Sequence, residues 1–243
     1  FDAITHAFTT LSTGGFSIKN ASIAAYNSPA IEWIIIVFTV LASINFSLMF
    51  LAIRGQIRMV LKNEELRTFL LITVLAVAAV CANLMMQMGL PFSQAVRDAA
   101  FQVTTISSTT GYATRDFALW PTFSQAILVL LMLMGGCAGS TAGGTKVSRI
   151  LLQLKCLKRE LNRIVHPNRV SVITMDEQAV KEEAVTSALV FQVAYLLVLI
   201  VGALVVALNG MGITESLSAS LACISNIGPA LGEGNAVAHA LDG

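Results

Sequence analysis

Apolar runs long enough to cross a lipid bilayer constrain this sequence more than any other feature. Spanning about 30 Å of hydrocarbon as an α-helix takes about 20 predominantly apolar residues. Three runs have that length: Trp33–Ile53, Phe69–Met88 and Ala184–Leu208. A fourth begins at Phe123, is interrupted over Gly135–Gly144, and continues as a basic helix over Lys146–Leu161. Only 12% of the residues are charged and 56% are hydrophobic, against about 25% charged residues in a soluble domain. We therefore expect an all-α polytopic membrane protein.

Lysines and arginines fall mainly on one side of the predicted spans. Most lie in two segments: Arg54, Arg58, Lys62 and Arg67, then Lys146, Arg149, Lys155, Lys158, Arg159, Arg163, Arg169 and Lys181. The others are Lys19, Arg97 and Arg115. By the positive-inside rule the larger group is cytoplasmic, which puts residues 1–28, 90–119 and 210–243 on the outer face. The net charge of +1 offers no basic surface for nucleic acid.

A short pattern recurs in the three outer segments. Its copies are Thr9–Phe16, Thr104–Tyr112 and Ala222–Pro229. They follow helix-like lead-ins, namely Asp2–Leu11, Ser93–Ile106 and Glu215–Ile224. Each copy has hydroxyl residues or an asparagine, then a glycine and a bulky or rigid residue, and the second has one residue more before its glycine. The lead-ins are too short to span a bilayer, and their length is typical of re-entrant segments. The pattern predicts helices that descend partway into the membrane, each followed by a loop that climbs back out.

Loops of this kind have two properties of a cation site. The C-terminal end of each descending helix carries partial negative charge, and irregular backbone along a watery cavity can aim carbonyl oxygens at a dehydrated ion. Gly15, Gly111 and Gly228 would supply the positive φ or the close approach that this needs. The glycine motifs hold no carboxylate, and carbonyl cages suit K⁺, whereas Mg²⁺ and Ca²⁺ sites favour carboxylates. The alternative, three ordinary glycine-containing turns between helices, stays open at this point.

These residues resemble the TrkH/KtrB family of bacterial K⁺ transporters, and its TrkH branch in particular. The resemblance is carried by STGGFS at Ser12–Ser17, STTGYAT at Ser108–Thr114, SNIGPALG at Ser225–Gly232 and GGCAGSTAGGTK at Gly135–Lys146. It implies K⁺-channel-like repeats of helix, re-entrant pore helix with filter loop, and helix, arranged as a pseudo-fourfold pore. On that template, residues 1–62 are the pore helix, filter and second helix of repeat 2, and residues 63–165 are repeat 3 with an interrupted second helix. Residues 166–243 are the first helix, pore helix and filter of repeat 4, with its final helix absent.

The resemblance also implies which residues bind the ion. The filter residues would be Thr13, Gly14, Gly15, Thr109, Thr110, Gly111, Asn226, Ile227 and Gly228. It implies K⁺ uptake across the bacterial inner membrane, with K⁺ as the transported ion, the only bound metal and the only cofactor on this chain. The implied partners are membrane lipid, a second copy in a homodimer, and a cytoplasmic nucleotide-binding regulatory ring of the TrkA type. Because the motifs depart from the TVGYG of tetrameric K⁺ channels, we expect looser selectivity, and coupling to H⁺ or Na⁺ stays open.

Five glycines interrupt the fourth apolar run. A continuous helix there would cost about 5 kcal/mol relative to alanine. The resemblance makes this interruption an intramembrane gating loop beneath the filter, with its residues at Gly135, Gly136, Gly139, Gly143, Gly144 and Lys146. Two other interpretations exist. A tandem G-x-x-x-G is typical of close helix packing, and the stretch Gly139–Lys146 superficially resembles a phosphate loop, although its lysine follows the threonine.

The remaining polar residues favour no enzyme. The sequence contains no Ser/His/Asp or paired-carboxylate constellation. The four cysteines lie far apart and are interpreted as small buried hydrophobes. The alternative function is a secondary transporter of another solute with broken helices at the midplane, and a third is a non-transporting membrane assembly subunit. Beside the second copy, Arg97-Asp98 and Arg115-Asp116 form either ion pairs or a charged pore mouth, and the sequence does not separate the two.

Overall fold

The computed structural model describes residues 1–166 and 172–232, and this part of the chain is mainly α-helical. Its helices are α1 Asp2–Leu11, α2 Pro29–Ala42, α3 Phe46–Ile53, α4 Ile57–Lys62, α5 Glu64–Met88, α6 Phe92–Ser107, α7 Thr122–Met134, α8 Val147–Val165, α9 Glu182–Ala207 and α10 Ile213–Ile224. Short 3₁₀ turns cover Ser22–Tyr26 and Phe117–Leu119. A small antiparallel hairpin pairs β1 Thr174–Met175 with β2 Gln178–Ala179. The prediction of an all-α fold is confirmed. Arg169, predicted to be cytoplasmic, and the last eleven residues of the third predicted segment lie outside the described residues.

Two helices have the length and composition of membrane spans. They are α5, with 25 residues, and α9, with 26, and at 1.5 Å per residue each exceeds the hydrocarbon thickness. Both begin a few residues before the predicted runs, because their first turns hold acidic pairs that favour a helix N-terminus. Helix α5 starts where the Asn63 side chain accepts the N–H of Leu66 (2.9 Å). It ends at Gly89, which has φ +64°.

The first predicted span is not one continuous helix. Its sequence forms α2 and α3, whose axes differ by 100° across a break at residues 43–45. Asn45 caps α3 by accepting the N–H of Ser47 (2.8 Å). The break also bonds to the glycine segment that follows α7, through Ser43 O and the N–H of Phe46. The predicted span Trp33–Ile53 is therefore a broken span or a re-entrant loop rather than one straight helix, because these backbone bonds, invisible to hydropathy, stabilise the bend.

The main core surrounds α6. This 16-residue helix packs between α2, α5 and α7, and every residue from Asp98 to Ser107 is buried. Large side chains of the neighbouring helices fill the space around it, including Phe69, Leu84, Leu128 and Met132. Helix α9 differs, since apolar residues such as Leu197 and Leu204 are more than half exposed. That exposure is expected of a helix facing lipid, which solvates apolar side chains.

On the predicted cytoplasmic side, the hairpin packs on α8 and on the start of α9. Cys156, Ile173 and Val185 form a small buried cluster there. Asp176 in the hairpin turn accepts hydrogen bonds from the N–H of Glu64 and from the Asn63 side chain, both at 2.7 Å. The hairpin thereby caps the N-terminus of α5.

Candidate functional site

The three short helices α1, α6 and α10 end in the same backbone geometry. Their last turns close at Ser12, Ser108 and Ser225, all right-handed. The next residues, Thr13, Thr109 and Asn226, have positive φ of 51°, 58° and 58°, and Gly15, Gly111 and Gly228 follow with φ of 65°, 82° and 95°. A non-glycine residue at positive φ is uncommon. Three in the same position show that the loops are structural copies of one another.

The hydrogen bonds keep the three loops in one register. The N–H groups of Gly14, Thr110 and Ile227 donate to the carbonyls of Thr9, Thr105 and Ala222 at 2.8–2.9 Å. The second copy therefore aligns from Thr105 rather than Thr104, and the expectation that it carries an extra residue before its glycine is wrong. The residue counted as extra belongs to helix α6, which is longer than α1 or α10.

Carbonyl oxygens are the ligands these loops can offer. Within residues 1–166 and 172–232, the carbonyls of the nine predicted filter residues accept no hydrogen bond from the protein. Buried backbone carbonyls are otherwise nearly always paired in folded proteins. The loops thus keep polar oxygen atoms uncommitted at the ends of three helices, where the helix dipoles place partial negative charge.

The loops touch one another at their glycines. A Cβ on Gly15 would collide with the carbonyl of Thr110, and a Cβ on Gly111 would collide with the carbonyl of Ile227. Around Gly228, no described atom lies within 4 Å of such a Cβ. The first two glycines are therefore required for close approach as well as for positive φ. The structure brings the predicted filter residues of all three copies into one contiguous arc.

Tyr112, which follows Gly111, fastens the second loop to α1. Its ring is fully buried, and its hydroxyl lies 2.5 Å from Thr9 Oγ1 and 3.2 Å from Thr10 Oγ1 and donates to the carbonyl of His6 (3.3 Å). These contacts join parts of the chain about a hundred residues apart in sequence. Sequence inspection notes an aromatic residue here but gives no signal of its partners, which belong to a different copy.

Four charged side chains form a cluster beside the second loop. Arg97 lies 2.9 Å from Glu32 and 3.9 Å from Asp98, and Arg115 lies 3.4 Å from Asp98. Glu32 and Asp98 are 8% and 3% exposed. The cluster joins α2, α6 and the chain that follows the second loop. The sequence left two interpretations open, and the structure shows ion pairs among Arg97, Asp98 and Arg115. Asp116 Oδ1 accepts the N–H of Ala118 (2.9 Å).

The glycine-rich segment, Gly135–Lys146, connects α7 to α8 without forming a helix. Gly135, Gly139 and Gly144 have φ near +70°, and Lys146 has φ +75°. A tandem G-x-x-x-G packing face needs an unbroken helix, so that interpretation is wrong. Three hydroxyls support the irregular backbone: Ser140 donates to the Cys137 carbonyl (2.6 Å), Thr145 to that of Leu133 (2.7 Å), and Thr141 to that of Ala42 (3.2 Å). The Lys146 side chain donates to the carbonyl of Ala142.

The glycine-rich segment lies against the inner ends of all three short helices. The N–H of Gly143 donates to Thr109 Oγ1 (2.5 Å), and Thr141 Oγ1 donates to the carbonyl of Leu11 (3.1 Å). A Cβ on Gly143 would collide with the carbonyl of Ser225. The structure thus places the predicted gating residues directly beside the predicted filter. Among the described residues, no group of three or more His, Cys, Asp or Glu side chains could hold a metal ion.

Comparisons with known proteins agree with this architecture. A family model described as "TrkH: Cation transport protein" matches residues 1–241. The Trk system potassium uptake protein TrkH of Escherichia coli K12 is 37% identical over 236 residues, covering 96% of this chain and 48% of that protein. The TrkH of Vibrio parahaemolyticus is 40% identical over 238 residues, covering 96% and 49%.

A solved structure gives the same result in three dimensions. The crystal structure of the potassium transporter TrkH from Vibrio parahaemolyticus matches with a TM-score of 0.88 and 38% sequence identity, over 96% of this chain and 51% of that chain. The chain spans about half the length of the curated relatives it matches. It is a multi-pass protein of the bacterial inner membrane, as predicted from the sequence. The relatives are named as uptake proteins rather than enzymes, which agrees with the prediction that the chain is not an enzyme. By the extent of these matches, the chain belongs to the TrkH family of cation transport proteins.

Proposed function

We propose that this chain forms part of a K⁺ uptake protein whose ion path runs through the three loops. The observation that carries the proposal is the shared loop geometry, with uncommitted carbonyls at the ends of three helices. A dehydrated K⁺ needs several oxygen ligands to replace its hydration shell. The proposed ligands are the carbonyls of the predicted filter residues, namely Thr13, Gly14, Gly15, Thr109, Thr110, Gly111, Asn226, Ile227 and Gly228. The predicted division into repeats at residues 62 and 165 belongs to this proposal.

We also propose that the glycine-rich segment is a gate. It occupies the space next to the inner end of each short helix, where an ion leaving the loops would pass. Small residues and glycines at positive φ let such backbone change shape with little steric cost. Displacing the segment would open the path toward the predicted cytoplasmic side.

The proposal extends to the wider assembly. The relatives' names assign them to a Trk system, which supports a transporter acting with further components. We place a homodimer and a cytoplasmic nucleotide-binding ring in that role. Helix α8 carries Arg149, Lys155, Lys158, Arg159 and Arg163 of the predicted cytoplasmic side, and we assign contact with such a ring to this helix. Coupling of K⁺ entry to H⁺ or Na⁺ stays open.

Uptake of K⁺ and Na⁺ by the full-length protein in K⁺-uptake-deficient bacteria tests the filter. Changing Gly111 to Ser introduces a Cβ that collides with the Ile227 carbonyl, so we expect loss of K⁺ preference or of uptake. The matched control is Gly55→Ser, because Gly55 has φ +79° and no atom within 4 Å of a Cβ. Uptake unaffected by Gly111→Ser would make Gly111 a turn residue and refute the filter. Uptake of Rb⁺ separates this function from a transporter of another solute.

A further inference from the structure

Glu65 is a buried acid that neither the filter nor the predicted gate residues include. It lies in the first turn of α5 and is 6% exposed. Its Oε1 atom accepts the N–H of Ala138 at 2.6 Å and the N–H of Ser148 at 3.0 Å. Burying a carboxylate costs free energy unless hydrogen bonds compensate it. The two N–H groups provide that compensation, so the burial of Glu65 depends on them.

The two donors belong to different elements. Ala138 is in the glycine-rich segment, and Ser148 is in the first turn of α8. The N–H groups of a first turn have no partner within their helix and form the positive end of its dipole, which favours a carboxylate as acceptor. One carboxylate oxygen of α5 therefore holds the segment and the start of α8 together.

Most other tethers of the segment differ from Glu65 in kind. They are neutral hydrogen bonds: Cys137 N–H to the Ser43 carbonyl and Phe46 N–H to the Gly139 carbonyl, both 3.0 Å, with Thr141 and Gly143 bonding toward the loops. Hydrogen bonds to an ionised acceptor are roughly twice as strong as neutral ones. Two ionisable side chains of other elements bond to the segment: Arg149 of α8 donates to the Thr145 carbonyl (3.2 Å), and Glu65 of α5 accepts the N–H of Ala138. Of these two, Glu65 is the acceptor, and it bonds to the middle of the segment.

The position of Glu65 also connects the segment to the predicted cytoplasmic side. Its neighbours in sequence, Asn63 and Glu64, are the residues that Asp176 of the hairpin caps. The Glu64 side chain pairs with Lys155 of α8. A displacement of the hairpin or of α8 would therefore act first on the turn that carries Glu65.

We propose that Glu65 is a positioning residue that holds the glycine-rich segment in place beneath the loops, and that losing its hydrogen bonds frees the segment. The proposal rests on the function proposed above, in which this segment is the gate. It adds the contact that sets the position of the gate and places that contact at the junction of α5, α8 and the hairpin.

Cys137 provides a test that does not depend on transport. It lies in the segment and is 0% exposed, so its reaction with a thiol reagent reports release of the segment. The experiment uses the full-length protein in inside-out membrane vesicles, with Cys137 as the only cysteine, and methanethiosulfonate-ethyltrimethylammonium as the reagent. Because Glu65→Ala removes the oxygen that accepts both N–H groups, we expect the modification rate of Cys137 to rise about tenfold.

Three further variants make this result specific. Glu65→Gln keeps an oxygen that can accept both N–H groups but not the charge, so its rate should rise less than that of Glu65→Ala. Glu65→Asp keeps the charge but shortens the reach, and its rate should lie between those of the parent and Glu65→Ala. Glu183→Ala removes an exposed acid from the first turn of a different helix, α9, and should leave the rate unchanged. An unchanged rate in Glu65→Ala, or a rate in Glu65→Gln as high as in Glu65→Ala, would overturn the proposal.

Two measurements separate other causes. In a background that keeps only Cys81, buried in α5, Glu65→Ala should leave that cysteine unreactive. If Cys81 also reacts faster, the Glu65→Ala variant is unfolded, and the test passes to Glu65→Asp. A folded Glu65→Asp variant with an unchanged Cys137 rate would then overturn the proposal. Uptake of K⁺ by the same variants tests the gate. A raised Cys137 rate with unchanged uptake supports the role of Glu65 and refutes the gate, whereas raised uptake with an unchanged Cys137 rate refutes the role of Glu65.

Discussion

At the scale of single residues, the site depends on a few backbone conformations that side chains tolerate poorly. Thr13, Thr109 and Asn226 adopt positive φ without being glycine, a strain of the order of 1–2 kcal/mol each. Such outliers persist where the surrounding structure holds them, and they cluster at functional sites. Their repetition in three loops indicates that the conformation itself is needed.

A substitution at Gly15 separates the need for the loop conformation from the ordinary strain of a residue at positive φ. Gly15→Ala adds both strain at φ +65° and a collision with the Thr110 carbonyl, so we expect it to abolish K⁺ uptake by the full-length protein. Gly89→Ala is the matched control, because Gly89 has φ +64° and open space around it. It should cost about 1–2 kcal/mol of stability and leave uptake largely intact. Equal loss of uptake in both variants would contradict a special role for the loops.

The sequence alone predicts only part of the candidate site. The glycines and hydroxyls of the three motifs predict the loops and their residues, since each glycine is visible in the sequence. The partners of Tyr112 and the choice of Glu65 over Glu64 are not visible, because they depend on which side of a helix faces a distant segment. Both acids stand in the same first turn and both contact α8, and the bond to Ala138 of the glycine-rich segment is what distinguishes Glu65.

At the scale of elements, the glycine-rich segment and the broken helix α2–α3 form a joint unit. The segment bonds to the backbone at the break through Ser43 and Phe46, so each stabilises the irregular shape of the other. Hydropathy predicts the two long spans well, because lipid exposure determines their composition. Hydropathy does not predict the break between α2 and α3, because apolar residues continue through it and the bend is made by backbone hydrogen bonds.

Removing part of the segment tests its role as an element. Deleting Cys137–Ala142 removes Thr141 and the bond to the inner end of α1, so we expect K⁺ flux through the full-length protein to rise several-fold, as for removal of a physical obstruction. The measurement is Rb⁺ uptake into proteoliposomes at matched protein content. Flux equal to that of the parent would exclude the segment as the gate.

At the scale of the whole molecule, buried charges connect elements that apolar packing alone would leave free to slide. The cluster of Glu32, Arg97, Asp98 and Arg115 joins two helices and the chain after the second loop. Removing one member of a buried pair leaves an uncompensated charge, at a cost of about 3–5 kcal/mol. Since Arg97 is 23% exposed, the expected cost is smaller.

Arg97→Gln should therefore lower the free energy of unfolding by about 2 kcal/mol, seen as a lower Tm of the full-length protein in detergent. Arg58→Gln, on the exposed helix α4, serves as the control and should leave Tm within about 1 °C, as surface changes usually do. A Tm unchanged by Arg97→Gln would show that the cluster does not stabilise the fold.

The contact of Tyr112 with Thr9, across 103 positions of the chain, and that of Thr141 with Leu11, across 130, have a consequence for biogenesis. The first loop and α1 enter the membrane environment well before the ribosome has made the residues that complete their surroundings. Contacts this distant in sequence form late and slowly. Helices α2 to α5 are therefore synthesised before either contact can form, and the first loop stays without its partners during that time. A cell that produces this protein has to protect unfinished chains during that interval.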